Sequence, residues 1–180
     1  MISTTKELIN KGETQYSIKR KLLSRDLFLI ERGIYSDEPN PYIDEAYLSA
    51  KYPNAVLTGL SAFNLYDLTD HVPESFYFAT EQHSFPIRRK DVMQSYQESS
   101  FINVGVTTVR TNSGVIRIYD LERMLIELVR LKEKYPREIY YEVLNSFRNI
   151  KNQLDFHKLN NYMDKFTNRD TLASKIKELI

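Results

Sequence analysis

The stretch Thr14-Gln-Tyr-Ser-Ile-Lys-Arg-Lys-Leu-Leu-Ser-Arg-Asp-Leu-Phe-Leu-Ile-Glu-Arg-Gly-Ile-Tyr35 gathers cationic and hydrogen-bonding side chains ahead of a glycine turn. On a helical wheel over residues 15–24, Ile18 and Leu22 share one face and Leu23 extends it. Ser17, Arg20 and Lys21 lie opposite, with Tyr16 and Lys19 between the two faces. Such an outward face suits the major groove of DNA. There the helix start meets phosphate, and Arg or Gln reaches base edges. Arg25 follows the helix, and Arg32 precedes Gly33 at the tip of a predicted hairpin, where a wing residue would touch phosphate or the minor groove. The candidate DNA-contacting residues are Gln15, Tyr16, Ser17, Lys19, Arg20, Lys21, Arg25 and Arg32. The competing interpretation is a solvated helix face, the common fate of a short Lys/Arg cluster.

Other chemistries find little support. Asp67-Leu-Thr-Asp70 superficially suggests a nucleotidyltransferase, but Mg²⁺ there needs two carboxylates alternating on one strand. His71, His83 and His157 are isolated, and the absence of cysteine removes thiolate ligands and nucleophiles. No Gly-rich phosphate loop or serine elbow is visible. The expectation is a chain without catalytic residues, metal or cofactor. Arg88-Arg89-Lys90 is a weaker candidate surface for an acidic partner or phosphate, against the plainer reading of a solvated turn. Glu122-Arg123 reads as a structural ion pair at a helix start, with Arg123 bracing the preceding strand. Ser61 reads as a helix-start cap or a local hydrogen-bonding group.

The elements that must position these residues follow from caps and periodicity. Thr4-Thr5-Lys6-Glu7 has capping-box spacing and opens a short helix that Gly12 ends. Thr14 caps the basic helix over 15–24, and strands are predicted at 27–31 and 34–36. Pro39-Asn40-Pro41 is the candidate linker. Helices are predicted at 44–51 and 61–68, a strand at 76–79, and a meander over 101–118 turning at Asn112-Ser113-Gly114. Behind an Asp120 cap, Leu121, Leu125, Leu128 and Leu131 recur at helical spacing, and helices follow at 137–150, 155–166 and 170–180. With 180 residues and a net charge of +1, the chain holds one large or two small domains, and any nucleic-acid surface must be local. No signal peptide or apolar span is evident, so a soluble, cytoplasmic protein is expected.

The order of motifs resembles the AbiEi family, antitoxins of type IV toxin–antitoxin systems associated with abortive phage infection. Four segments carry the resemblance: Thr4-Thr5-Lys6-Glu7-Leu8-Ile9 leading to Tyr16 and Ile18; Arg32-Gly33-Ile34-Tyr35; Leu57-Thr58-Gly59-Leu60-Ser61-Ala62-Phe63-Asn64-Leu65; and Val115-Ile116-Arg117-Ile118-Tyr119-Asp120-Leu121-Glu122-Arg123. The resemblance implies an α+β protein: a truncated N-terminal winged helix-turn-helix at 1–38 and a larger α+β antitoxin domain at 42–180 with a helical C-terminus. It further implies an autorepressor of its own operon that opposes a nucleotidyltransferase-like toxin, with or without direct contact. Two departures stand out. Only three residues precede Thr4, so the usual first helix of the motif is expected to be missing, and Arg25 sits where a turn glycine is expected. The alternative is a protein-binding antitoxin or regulator without DNA binding, using Arg88, Arg89, Lys90 and the C-terminal helices.

Overall fold

Two threonine caps start the first helices where the sequence predicts them. Thr4 ends strand β1 (Ile2–Thr4) and opens helix α1 (Thr5–Asn10). Its Oγ1 accepts the Glu7 N–H at 3.2 Å, while the Glu7 carboxylate accepts the Thr4 N–H at 2.6 Å. Thr14 and Ser17 repeat the arrangement at the start of α2 (Gln15–Ser24). Strands β2 (Phe28–Glu31) and β3 (Ile34–Ser36) follow, with Gly33 between them at φ 82°. That turn needs the left-handed region, which glycine enters without cost from a Cβ. All three strands form one antiparallel sheet in the order β1-β3-β2.

The computed structural model describes residues 1–180, a mixed α/β architecture with eight α-helices and two sheets. Contacts divide it into one unit of residues 1–54 with 108–117 and another of 55–107 with 118–180. This differs from the expected split at Pro39-Asn40-Pro41. Helix α3 (Glu45–Lys51), capped by Asp44, packs with the first unit because the Tyr47 hydroxyl and the Lys51 ammonium both bond the Glu31 carboxylate. Residues 108–117 join it because the Ile2 N–H donates to the Ser113 carbonyl, and Gly114 lies against Ile2 and Ala46. The prolines break secondary structure without dividing the packing.

The second unit contributes β4 (Val56–Leu57), β5 (Phe76–Glu81) and β6 (Val92–Gln97) to a five-stranded sheet of order β6-β5-β4-β8-β7, in which residues 108–117 of β7 (Val106–Arg110) and β8 (Val115–Tyr119) belong to the first unit. β5 and β6 run parallel, and β4 pairs antiparallel with β5 and parallel with β8. Helices α4 (Gly59–Leu65), α5 (Leu121–Arg130), α6 (Arg137–Asn149), α7 (Phe156–Met163) and α8 (Arg169–Leu179) complete it. Its core includes Phe63, Phe78, Leu125, Leu128, Leu144 and Phe147, all buried, with the Phe63 ring edge-on to Phe147. Ser61 is buried and does not cap α4; its hydroxyl accepts the Tyr77 N–H at 3.0 Å and so ties α4 to β5.

Arg123 is fully buried at the start of α5, and its partner is Glu127, one turn on, at 2.8 Å rather than the adjacent Glu122. Helix geometry brings i and i+4 together, not neighbours in sequence. The guanidinium also donates to the carbonyls of Phe101 and Val104 and lies over the Tyr119 and Phe166 rings. Glu122 instead accepts the Asp155 N–H and pairs with Lys158, which also contacts Asp120. Burial works to lower the Lys158 pKa, but its bonds to Asp120 and Glu122 outweigh that and leave it raised. Burial and the Asp120 hydrogen bond push the Tyr162 hydroxyl up to about 12.

Gly105 makes this arrangement possible. At φ 75°, any added Cβ would sit 2.5 Å from Arg123 Cβ, while the Gly105 carbonyl accepts the Asp120 N–H at 2.7 Å. Gly105→Ala is expected to destabilise the protein by about 2–4 kcal/mol in a urea titration, combining left-handed strain with overpacking. A midpoint equal to wild type would show that the backbone relaxes freely there. A fragment beginning at residue 42 retains α3 and 108–117 but loses Ile2 and Glu31 as their partners. It is expected to melt well below the full chain, by roughly 2–4 °C for each kcal/mol lost. An unchanged melting temperature by circular dichroism would restore the boundary at the prolines.

Candidate nucleic-acid interface

Helix α2 is held by its apolar side. Ile18 packs in a small cluster with Leu8 and Leu27, to which Leu22 and Tyr35 add partly buried surface. Leu23 does not extend that face; it is 78 % exposed, as is most of Tyr16. Leu8 is the α1 side chain in that cluster, whereas Ile9 beside it is exposed. The wheel orientation holds for Ile18 and Leu22 and fails for Leu23.

The outward residues fall into two groups. Gln15, Lys19 and the hairpin residue Arg32 line one cleft of about 540 Å³, floored by Ile18, Leu22 and Tyr35. All three polar side chains are exposed and form no ion pair. The Gly33 carbonyl accepts the Thr5 N–H at 3.0 Å, which fixes the hairpin tip against the start of α1. Arg20 is exposed and likewise unpaired on α2.

The second group is already engaged. The Ser17 hydroxyl donates to Glu13 at 2.6 Å and completes the Thr14 cap. The Lys21 ammonium pairs with Glu13, whose carboxyl is held below its ordinary value by that bond first and by Ser17 second. Glu13 lies just outside the helix, so a tally of acids within residues 15–24 overlooks it. A fragile surface pair of this kind contributes little stability, but it removes a free cation from the face.

Arg25 ends α2 in the left-handed conformation, φ 62° and ψ 23°, donating its N–H to the Lys21 carbonyl. This is the helix-end position that favours glycine, as the sequence suggested. An exposed arginine kept there costs backbone energy while presenting charge beside the basic helix. Arg25→Gly is expected to raise stability by about 0.5–1 kcal/mol in chemical denaturation. A loss of stability would mean that the Arg25 side chain makes a compensating contact.

Several acids of this region have local partners. Glu7 serves the α1 cap, Glu31 binds Tyr47 and Lys51, Asp26 accepts the Ser24 hydroxyl, and Asp37 pairs with the Met1 ammonium. Within α2 and the β2–β3 hairpin turn, Lys19, Arg20 and Arg32 are cations without an ion-pair partner, while Asp26 beyond the helix end keeps its charge. Elsewhere, Arg88 and Lys90 are exposed on the loop before β6, whereas Arg89 is committed to Asp91 by two bonds, at 2.9 and 2.6 Å. Arg89 and Asp91 stand two apart in the chain, a spacing that does not by itself announce the pair. The chain matches no known family model, and no curated protein matches it.

Proposed function

We propose that the protein is a DNA-binding antitoxin of the type IV class that represses its own operon and opposes a nucleotidyltransferase-like toxin. The observation that carries the DNA-binding part is the cleft shared by Gln15, Lys19 and Arg32, where unpaired cations of α2 and the hairpin tip face the same space. A phosphate backbone entering that cleft meets both at once, and cations of this kind supply most of the binding free energy to DNA. The element order also supports a winged helix-turn-helix: α1 and α2 lie between β1 and β2 in sequence, and β3 pairs between those strands. Within it α2 is the recognition helix and Arg32-Gly33 the wing. The antitoxin assignment rests on the ordered resemblance to the AbiEi family.

A second reading, a regulator acting through protein contact, draws on one feature. Strand β6 is an edge strand free of charged residues, next to the exposed Phe85, Arg88 and Lys90. An acidic extended segment would suit that edge.

Fluorescence anisotropy against DNA upstream of the operon separates the two. Wild type is expected to bind with a steep negative salt dependence. Lys19→Ala and Arg32→Ala should each reduce the slope of log K against log salt by about 0.9. Arg20→Ala is expected to cost roughly 1–3 kcal/mol of specific binding through a lost base contact. Lys21→Ala should change the slope least, because Glu13 already neutralises that ammonium. Equal affinity in wild type and a Lys19/Arg20/Arg32 triple alanine variant with native circular dichroism would overturn the assignment.

A further inference from the structure

Strand β6 forms one edge of the five-stranded sheet and pairs with β5 alone. The Asp91 carbonyl accepts the Phe76 N–H at 2.8 Å, so Asp91, Met93, Ser95 and Gln97 turn their backbone groups toward β5. Alternation points those of Val92, Gln94 and Tyr96 outward. There the Val92 N–H has only a 3.4 Å bond to the Arg89 carbonyl, and the chain supplies Gln94 and Tyr96 with no backbone partner. Protein edges are commonly blunted by lysine, proline or a bulge. Val92-Met-Gln-Ser-Tyr-Gln97 has none of these, and it pairs with β5 without a register shift. Tyr96 is about half exposed, as is Met93, which borders a cavity of about 610 Å³ together with Glu74, Glu127 and Lys134.

The two ends of this edge carry opposite charge. Arg88 and Lys90 precede the strand, exposed and without ion-pair partners, while Arg89 is neutralised by Asp91. Glu98 follows the strand, exposed and likewise unpaired. The neighbouring β5 offsets this only in part: Glu74 stands before it and Glu81 at its end. Arg130, which shares a cleft with Glu98, is already bound to Glu127. One end is therefore net positive and the other net negative. Two copies related by a dyad run antiparallel, so each positive end meets the negative end of the other. The acidic segment weighed above would instead meet Glu98 and Glu81 as like charges.

Backbone geometry selects the register, because outward-facing residues must pair with outward-facing residues. With the dyad through Gln94, that residue pairs with its own copy, Val92 lies opposite Tyr96, and the Lys90 end lies beside Glu98. β-branched and aromatic residues make favourable cross-strand pairs. A shift by two residues sets Val92 against Gln94 or Glu98 and forfeits this contact. Gln94 also accepts the Ile87 N–H and donates to the Phe85 carbonyl, so the same dyad gathers the two loops that carry Phe85, 94 % exposed, on one face. We infer that the protein forms a two-fold dimer in which the β6 strands pair antiparallel across Gln94 and join the two sheets edge to edge. The dimer stands apart from the DNA-binding reading, and its test uses no DNA.

Sedimentation equilibrium of the full chain over about 1–200 µM tests this, the range suited to a small interface. A monomer–dimer equilibrium that stops at two copies is expected, weakening as salt rises. Lys90→Glu and Glu98→Lys should each weaken it severalfold, since each sets like charges at two symmetric contacts, and the double variant should recover most of the loss. Tyr96→Lys, which places a lysine on the open edge, should weaken it at least about tenfold. Phe85→Ala should weaken it severalfold with unchanged circular dichroism. Because the chain has no cysteine, Gln94→Cys should cross-link into a dimer on mild oxidation, and Ser100→Cys should not. A monomer throughout that range, whether or not it captures a glutamate-rich peptide, would overturn the inference. So would growth beyond two copies, an equilibrium untouched by Tyr96→Lys, no recovery in the charge-swapped variant, or no cross-link through Gln94→Cys.

Discussion

A fully buried guanidinium organises the larger unit. Arg123 must be satisfied from several directions because a lone cation in that interior is prohibitively costly. It is met by Glu127, by two carbonyls of the segment before β7, and by two aromatic rings. Removing one member of such a buried pair typically costs about 3–5 kcal/mol, whereas replacing the whole set with apolar groups is often neutral. Its role is therefore positional more than stabilising. It obliges residues 101–104 to lie over α5, leaves Gly105 no room for a side chain, and sets Glu127 at the wall of the neighbouring cavity.

The smaller unit uses charge in a different way. Several of its carboxylates are engaged by caps, by a helix-to-strand link, by Lys21 or by the terminal ammonium. A near-neutral composition thus yields a locally cationic face without a large net charge. Lys21 shows the limit of reading such a face from one helix. Its charge is cancelled from the preceding turn, while Lys19, on the flank of the wheel, shares a cleft with Arg32 of the hairpin.

Much of the fold was legible in the sequence. The caps at Thr4, Thr14, Asp44 and Asp120 mark helix starts through side chains that bond backbone three residues on, a local signal. Strands β1 and β4 escaped because two or three residues cannot display alternation, and β6, Val-Met-Gln-Ser-Tyr-Gln, has no clean apolar period. At the basic helix, the residue types were legible but their partners were not. The pairing of Glu13 with Lys21 and the meeting of Lys19 with Arg32 depend on tertiary geometry. The cavity of about 610 Å³ lined by Tyr77, Met93, Leu131, Tyr135 and Ile139 was invisible for the same reason, since its walls come from stretches far apart in the chain.

The hairpin of β7 and β8 has a consequence for biosynthesis. The smaller unit takes its last segment from residues 108–117, so its first 54 residues leave the ribosome before the partner of Ile2 exists. At roughly 5–20 residues per second, that interval lasts several seconds. During it the nascent β1 has no Ser113 carbonyl to hold, and the intervening chain belongs to the other unit. The two units are thus interleaved in time as well as in sequence. A pause in translation between codons 54 and 117 would lengthen the exposure of an unfinished N-terminal unit, and with it the opportunity for chaperones or proteases to act on it.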